Sequence, residues 1–186
     1  MGEIMGLLDF LKKQSAGEKN AVPEPIHVHE KKLTVFAPAT GRGVALADVP
    51  DPVFSGGVLG EGYGIWPEEG VIYAPVSGVV SATTPTMHAL GLTSKDGLEI
   101  LIHVGVDTVE MRGDGFISFV KQDEEVKVGQ PLMSFDLKKI HAAKHPEVII
   151  IAITNTSELA GVTPVEPTEK IEAGAPILCV SAKAAN

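Results

Sequence analysis

Short apolar runs, broken again and again by glycine and proline, leave this chain few ways to fold. The 20 glycines and 13 prolines are scattered through the sequence. They bracket runs such as Gly70-Val71-Ile72-Tyr73-Ala74-Pro75-Val76-Ser77-Gly78. Helix formers do not dominate. Many short strands separated by turn signals predict an all-β fold, an antiparallel sandwich or barrel-like single domain with short helical turns. At 186 residues the chain is long enough to bury a sizeable core.

Other features bound the class. The single cysteine, Cys179, has no internal disulfide partner, which suits a reducing compartment. No secretory signal and no apolar stretch long enough to cross a bilayer is visible. The net charge of −9 argues against nucleic acid, whose phosphates it would repel, and favours a basic protein partner. A cytoplasmic location is therefore expected.

The chain divides by composition. Ile4, Leu7, Leu8 and Leu11 recur at one helix face, so residues 1–13 read as an amphipathic helix. Lys12 and Lys13 close it, where cations complement the helix dipole. The helix is expected to be a frayed terminus, to dock back on the body, or to make a weak membrane-surface contact at the inner face. Two lysines supply only about 1 kcal/mol each near an anionic surface. The acylation pattern is not met, because position 6 is glycine. Residues 14–32 are polar, contain Gly17, Pro23 and Pro25, and read as a flexible linker. The body runs from 33 to 181, and 182–186 form a polar tail.

Two echoes occur within the body. Phe36-Ala37-Pro38-Ala39-Thr40-Gly41 resembles Tyr73-Ala74-Pro75-Val76-Ser77-Gly78, and residues 125–132 resemble residues 170–177. Their unequal spacing excludes a regular solenoid but fits pseudo-symmetric halves of a sandwich. Val148 to Ile153 is apolar on both faces and predicts a central strand. Leu137 to Ala143 predicts a short helix, with Pro146 stopping any continuation.

The chemistry concentrates at two histidines. His88 lies in Thr86-Met87-His88-Ala89, and His103 is expected to close a strand. In that strand Leu98, Ile100 and Ile102 share one face, while Glu99, Leu101 and His103 share the other. Asp107 and Thr108 follow in the next turn. An imidazole at a strand end near a glycine can be presented to a large partner. Without more context, a single such histidine is more often structural than nucleophilic.

Further context comes from a family resemblance. The chain resembles the glucose-type IIA component of the bacterial phosphoenolpyruvate-dependent sugar phosphotransferase system from about Leu33 to Val180. The blocks that carry it are Asp48-Val49-Pro50-Asp51-Pro52-Val53-Phe54, Ala74 to Gly78, Thr86 to Ala89, Gly97 to Val109, Gly113 to Phe116 and Val126 to Gly129. Met5 to Lys13 also resembles the start of free-standing members, here after four additional residues.

The resemblance implies an antiparallel β-sandwich with both histidines in a shallow apolar depression. It implies a phosphotransferase component, a protein-histidine phosphoryl carrier with no cofactor and no metal. His103 would take a phosphoryl group from the phosphohistidine of HPr and pass it to a cysteine on the IIB domain of a membrane sugar permease. Nδ1–H of His103 would be held by the Gly105 carbonyl, His88 would donate to the phosphoryl oxygens, and Thr86 would orient His88. Asp51 and Asp107 would meet partner arginines, with Val53, Phe54 and Val109 as the apolar rim. The unphosphorylated surface could bind other sugar-uptake proteins. The chemistry agrees: a neutral imidazole is nucleophilic, and an unperturbed histidine has a pKa of about 6.5. Positioning and charge stabilisation are the protein's remaining tasks.

Plainer and rival readings stand beside these. Asp51 and Asp107 are also ordinary turn residues. His27, His29, His141 and His145 lie in polar segments and are expected to be solvated. Trp66 is expected to pack, and Cys179 to be an inert core thiol. A zinc-dependent hydrolase would use His103 and Asp107, with His27-x-His29 as a second ligand-like pair. A lipoyl- or biotinyl-like carrier domain would need a lysine at a hairpin tip, and none is evident.

Overall fold

The computed structural model describes residues 21–183. The expected helix over 1–13, the first part of the linker and the end of the tail lie outside the described residues.

The fold is all-β, as the turn-rich pattern predicts. In chain order the first strands are β1 (Thr34–Phe36), β2 (Gly41–Ala45), β3 (Glu61–Pro67), β4 (Val71–Tyr73), β5 (Gly78–Thr83) and β6 (Ala89–Ser94). They are followed by β7 (Glu99–Val104), β8 (Phe116–Ser118), β9 (Glu125–Val126), β10 (Pro131–Phe135), β11 (Ile149–Ile153), β12 (Gly161–Pro164) and β13 (Pro176–Ser181). Two short helices interrupt them, α1 (Pro52–Ser55) and α2 (Leu137–Ala142). One sheet has seven strands in the order β2-β3-β11-β7-β6-β5-β9. Two smaller sheets have the orders β1-β13-β12 and β4-β10-β8. Every named pairing is antiparallel.

The sequence echoes explain this order. The two Ala-Pro turns cross, with Phe36 N–H donating to the Pro75 carbonyl and Tyr73 N–H donating to that of Pro38. Ala37 exchanges hydrogen bonds with Ala175 and Gly174, and Ala74 makes the matching pair with Gln130 and Gly129. Gly41 bridges Ile171 as Gly78 pairs with Val126. With the Ile171 bridge beyond β2 matching β9 beyond β5, the large sheet is pseudo-symmetric about the β11–β7 pair.

All five residues of β11 are buried, as expected for a central strand. One face of the large sheet packs Ile100, Ile102, Ile149 and Ile151 into the main core, with Val35, Ile72, Leu132 and Ile177. A second, smaller core lies on the other face. There Ile150 and Val148 meet Phe54, Val106, Val49, Leu46 and Val44. That second core is the floor beneath His103.

Other expectations are met or corrected here. The helix expected over Leu137 to Ala143 is α2, capped by Asp136, whose side chain accepts from the Lys138 and Lys139 N–H groups. Trp66 packs against the second core, and the Arg42 guanidinium lies 5.8 Å from its ring centroid. Cys179 is exposed, not in the core. The β13 alternation buries Leu178 and Val180 and turns Cys179 outward with Ser181. His27, His29 and His141 are exposed, but His145 is half-buried, with its Nε2 4.0 Å from a Glu110 carboxylate oxygen. The described part of the expected linker is tied to the body. Ile26 N–H donates to the Gly129 carbonyl at 3.0 Å, and Glu30 accepts from Ser77 N–H at 3.3 Å. The physical reason lies at two glycines. A Cβ on Gly129 would lie 2.3 Å from the Ile26 carbonyl oxygen, and one on Gly174 would lie 2.9 Å from Val28.

Among the described residues, no helix is long and apolar enough to cross a membrane.

Candidate functional site

The alternation read over Leu98 to His103 holds in β7, which ends one residue beyond His103. Leu98, Ile100 and Ile102 are buried, and His103 points to the opposite face. His103 sits in mid-sheet, paired with Ile150 of β11 on one side and Ala89 of β6 on the other. The second pairing brings His88 beside it, because His88 immediately precedes Ala89. The His88 carbonyl accepts from Val104 N–H at 2.8 Å, which ties the β5–β6 loop to the end of β7.

Two imidazoles distant in sequence meet here. The ring centroids of His88 and His103 are 4.9 Å apart, edge to face at 81°. The Phe54 ring is 5.2 Å from that of His103, tilted by 57°. Among the described residues neither Nε2 has a protein hydrogen-bond partner. Neither is a buried orphan, so both reach the surface.

Burial decides the charge state of His103. Loss of solvent is the largest cause and the His88 ring adds to it. The Gly105 carbonyl, Asp51 and Asp107 pull the other way. The net result lowers the pKa to about 4. Burial also lowers the His88 pKa. Both rings are therefore neutral at neutral pH. The expected bond from His103 Nδ1 to the Gly105 carbonyl is not made at full hydrogen-bond geometry. Nδ1 is buried without an aligned partner, although the carbonyl still favours a proton on the ring. Gly105 itself has no room for a side chain, since a Cβ would lie 2.3 Å from Thr108.

Thr86 stands where it was expected, its Oγ1 2.6 Å from His88 Nδ1. A second hydroxyl, on Thr84, lies 3.4 Å from the same nitrogen. Thr84 was not singled out by motif reading. The signal was the alternation Thr84-x-Thr86-x-His88 within one tight loop.

The acidic and apolar residues divide into rim and floor. Asp51 accepts from Val53 N–H at 2.8 Å and Phe54 N–H at 3.2 Å, so it caps α1. Its turn-residue reading is correct, yet its charge also reaches His103. Asp107 has a left-handed backbone, φ 57°, no side-chain capping bond, and is exposed. Val53 and Val109 are exposed. Phe54 is corrected from rim to floor, because it is buried in the second core under the His103 ring. Val58, which sequence reading missed, is the most exposed large apolar residue described, at 73%. It follows the Gly56-Gly57 turn just after α1, and an apolar residue in such a turn was the available signal.

An open groove of about 700 Å³ lies elsewhere, between Gly70, Phe116, Phe135 and Leu137, and touches neither ring.

The rival readings find little here. Among the described residues, no group of three or more His, Cys, Asp or Glu side chains is placed to hold a metal ion. The rings of His27 and His29 pack on each other, 4.8 Å apart. One expectation needs correcting: Lys95 does lie in the β6–β7 turn, where a carrier domain would need its lysine.

Comparison with known proteins separates these readings. The sequence profile of the phosphoenolpyruvate-dependent sugar phosphotransferase system, EIIA 1, matches residues 33–159. A PTS system glucose-specific EIIA component of Staphylococcus aureus (strain COL) is 43% identical over 133 residues, covering 72% of this chain and 80% of the relative. A PTS system glucose-specific EIIA component of Staphylococcus epidermidis is 42% identical over 129 residues, covering 69% and 78%. The solved glucose permease IIA from Mycoplasma capricolum superposes with a TM-score of 0.69 at 37% identity. It covers 82% of this chain and 98% of that one. None of these is a hydrolase or a lipoyl carrier.

Proposed function

Since the chain belongs to the EIIA 1 family of the phosphoenolpyruvate-dependent sugar phosphotransferase system, we propose that it carries a phosphoryl group on His103. The donor is phospho-HPr, and the acceptor is a cysteine on the IIB domain of a membrane sugar permease. The observation that carries this reading is the pair of neutral imidazoles, 4.9 Å apart, with both Nε2 atoms at the surface.

The roles follow from the chemistry. Nε2 of His103 offers its lone pair to phosphorus. The bond to the donor imidazole breaks as the new P–N bond forms, and the donor ring keeps the electron pair. The Gly105 carbonyl, Asp51 and Asp107 favour positive charge on the His103 ring, so they support the product. Thr86 donates its hydroxyl proton to His88 Nδ1. That leaves the proton of His88 on Nε2, aimed at the transferring oxygens. Fixed donors of this kind stabilise charge without reorganising during transfer.

The docking face combines Val53 and Val109 with the charges of Asp51 and Asp107, which meet arginines on HPr and IIB, while Phe54 supports it from beneath. The carrier domain spans 33–181 and acts in the cytoplasm. The sugar is chosen by the permease.

Labelling from phosphoenolpyruvate, enzyme I and HPr tests this reading. Wild type takes up phosphate, and His103→Ala takes up none while keeping its fold. His88→Gln still accepts phosphate at His103 but passes it on poorly. Normal labelling of His103→Ala, or phosphate mapped to His88, removes His103 from the role.

A further inference from the structure

The loop that carries His88 is closed by one side chain. Thr84 N–H and Thr84 Oγ1 both donate to the Ala89 carbonyl, at 3.3 and 3.1 Å, and Ala89 N–H donates back to Oγ1 at 3.3 Å. Met87 N–H donates to the Thr84 carbonyl at 2.9 Å, with Met87 in a left-handed conformation at φ 56°. Three bonds thus tie Thr84 to Ala89 across a five-residue loop, and His88 is its last residue before β6. A hydroxyl has one proton and two lone pairs. On Thr84 the proton is spent on the Ala89 carbonyl and one lone pair on the Ala89 N–H. Thr84 Oγ1 also lies 3.4 Å from His88 Nδ1, but its proton is already committed to Ala89, so that approach is a contact and not a second hydrogen bond. Thr86 meets the same nitrogen at 2.6 Å.

On the phosphoryl-carrier reading, we propose that Thr84 is a second positioning residue for His88. It acts through the Ala89 backbone, holding closed the loop on which the ring is mounted, while Thr86 holds Nδ1 itself. Thr86 alone fixes one hydrogen bond but not the loop that carries the ring. With both hydroxyls in place, the Nε2 edge of His88 is held at a constant angle to His103 when a phosphoryl group arrives between them. Thr84 touches no reacting atom, so its contribution appears in orientation rather than in chemistry.

Thr84→Val tests this, because it keeps the shape and removes the hydroxyl. Transfer from phosphorylated protein to IIB is expected to fall about tenfold, in line with the cost of a misplaced donor, and acceptance from phospho-HPr is expected to fall less. The ring nitrogens of His88, read by ¹⁵N NMR, are expected to shift, and Thr84→Ser is expected to restore shifts and rate. Unchanged His88 nitrogens with both rates at wild-type values would overturn the proposal. So would an equal loss of both steps, with a lowered melting temperature, that serine does not rescue. If wild type itself takes no phosphate from phospho-HPr, the carrier reading fails. The His88 nitrogen shifts of Thr84→Val then decide the positioning claim by themselves.

Discussion

Burial holds the His103 ring neutral, and that single fact links stability to chemistry. Its folded pKa is about 4, against about 6.5 in an unfolded chain. Between those values the unfolded chain binds a proton that the folded protein refuses, so acid favours unfolding. The contribution is fully present above about 6.5 and is lost as pH falls towards 4, on the order of 3 kcal/mol in all. His88 acts in the same direction. NMR titration of folded protein is expected to find the His103 midpoint near 4. His103→Asn is expected to lose less stability than wild type between pH 6.5 and 4. A midpoint near 6.5 with parallel stability profiles would contradict this. The identity of the two histidines and of Thr86 was legible from motif. Their charge state was not, because it depends on Phe54 and Ile150, which lie far from His103 in sequence.

A four-residue helix supports that ring, and one carboxylate starts the helix. Asp51 caps α1, and α1 puts Phe54 beneath His103. Asp51 therefore has two separable tasks, a cap and a charge. Asparagine caps as well as aspartate but carries no charge. Asp51→Asn is expected to keep wild-type stability. It is expected to slow transfer from HPr at low salt, with the deficit shrinking towards 1 M, where the Debye length is only about 3 Å. Asp51→Ala is expected to show the same rate defect and also to lose about 1 kcal/mol of stability. Denaturant melts beside stopped-flow transfer rates across a salt series separate the two. A wild-type rate for both variants at every salt concentration would take Asp51 out of the interface. At this scale β7, β11 and α2 were legible because each carries its own period or run. The cap was not, since Asp51-Pro52 reads equally well as a plain turn.

The whole molecule depends on contacts that no local pattern announces. The echoed turns of residues 36–41 and 73–78 suggested two halves, and the crossed bonds between Phe36, Pro75, Tyr73 and Pro38 join those halves. What pattern reading missed is that the polar segment before the body is strapped across it. Pro23, Pro25 and the charges around them read as linker, whereas the seats for Ile26 and Val28 are bare backbone at Gly129 and Gly174, more than a hundred residues away. A paired substitution isolates that strap. Gly97 and Gly129 share a left-handed backbone, φ 80° and 82°. Alanine at either position carries the same intrinsic cost of about 1–2 kcal/mol. A Cβ at Gly97 meets nothing within 4 Å, but one at Gly129 collides with Ile26. Gly129→Ala is therefore expected to expose residues 21–32 to protease and to cost more stability than Gly97→Ala. Gly97→Ala is expected to leave that segment protected. Equal cleavage and equal melting of the two variants would mean that the strap contributes nothing, and that the folded unit starts at Leu33 as composition alone suggested.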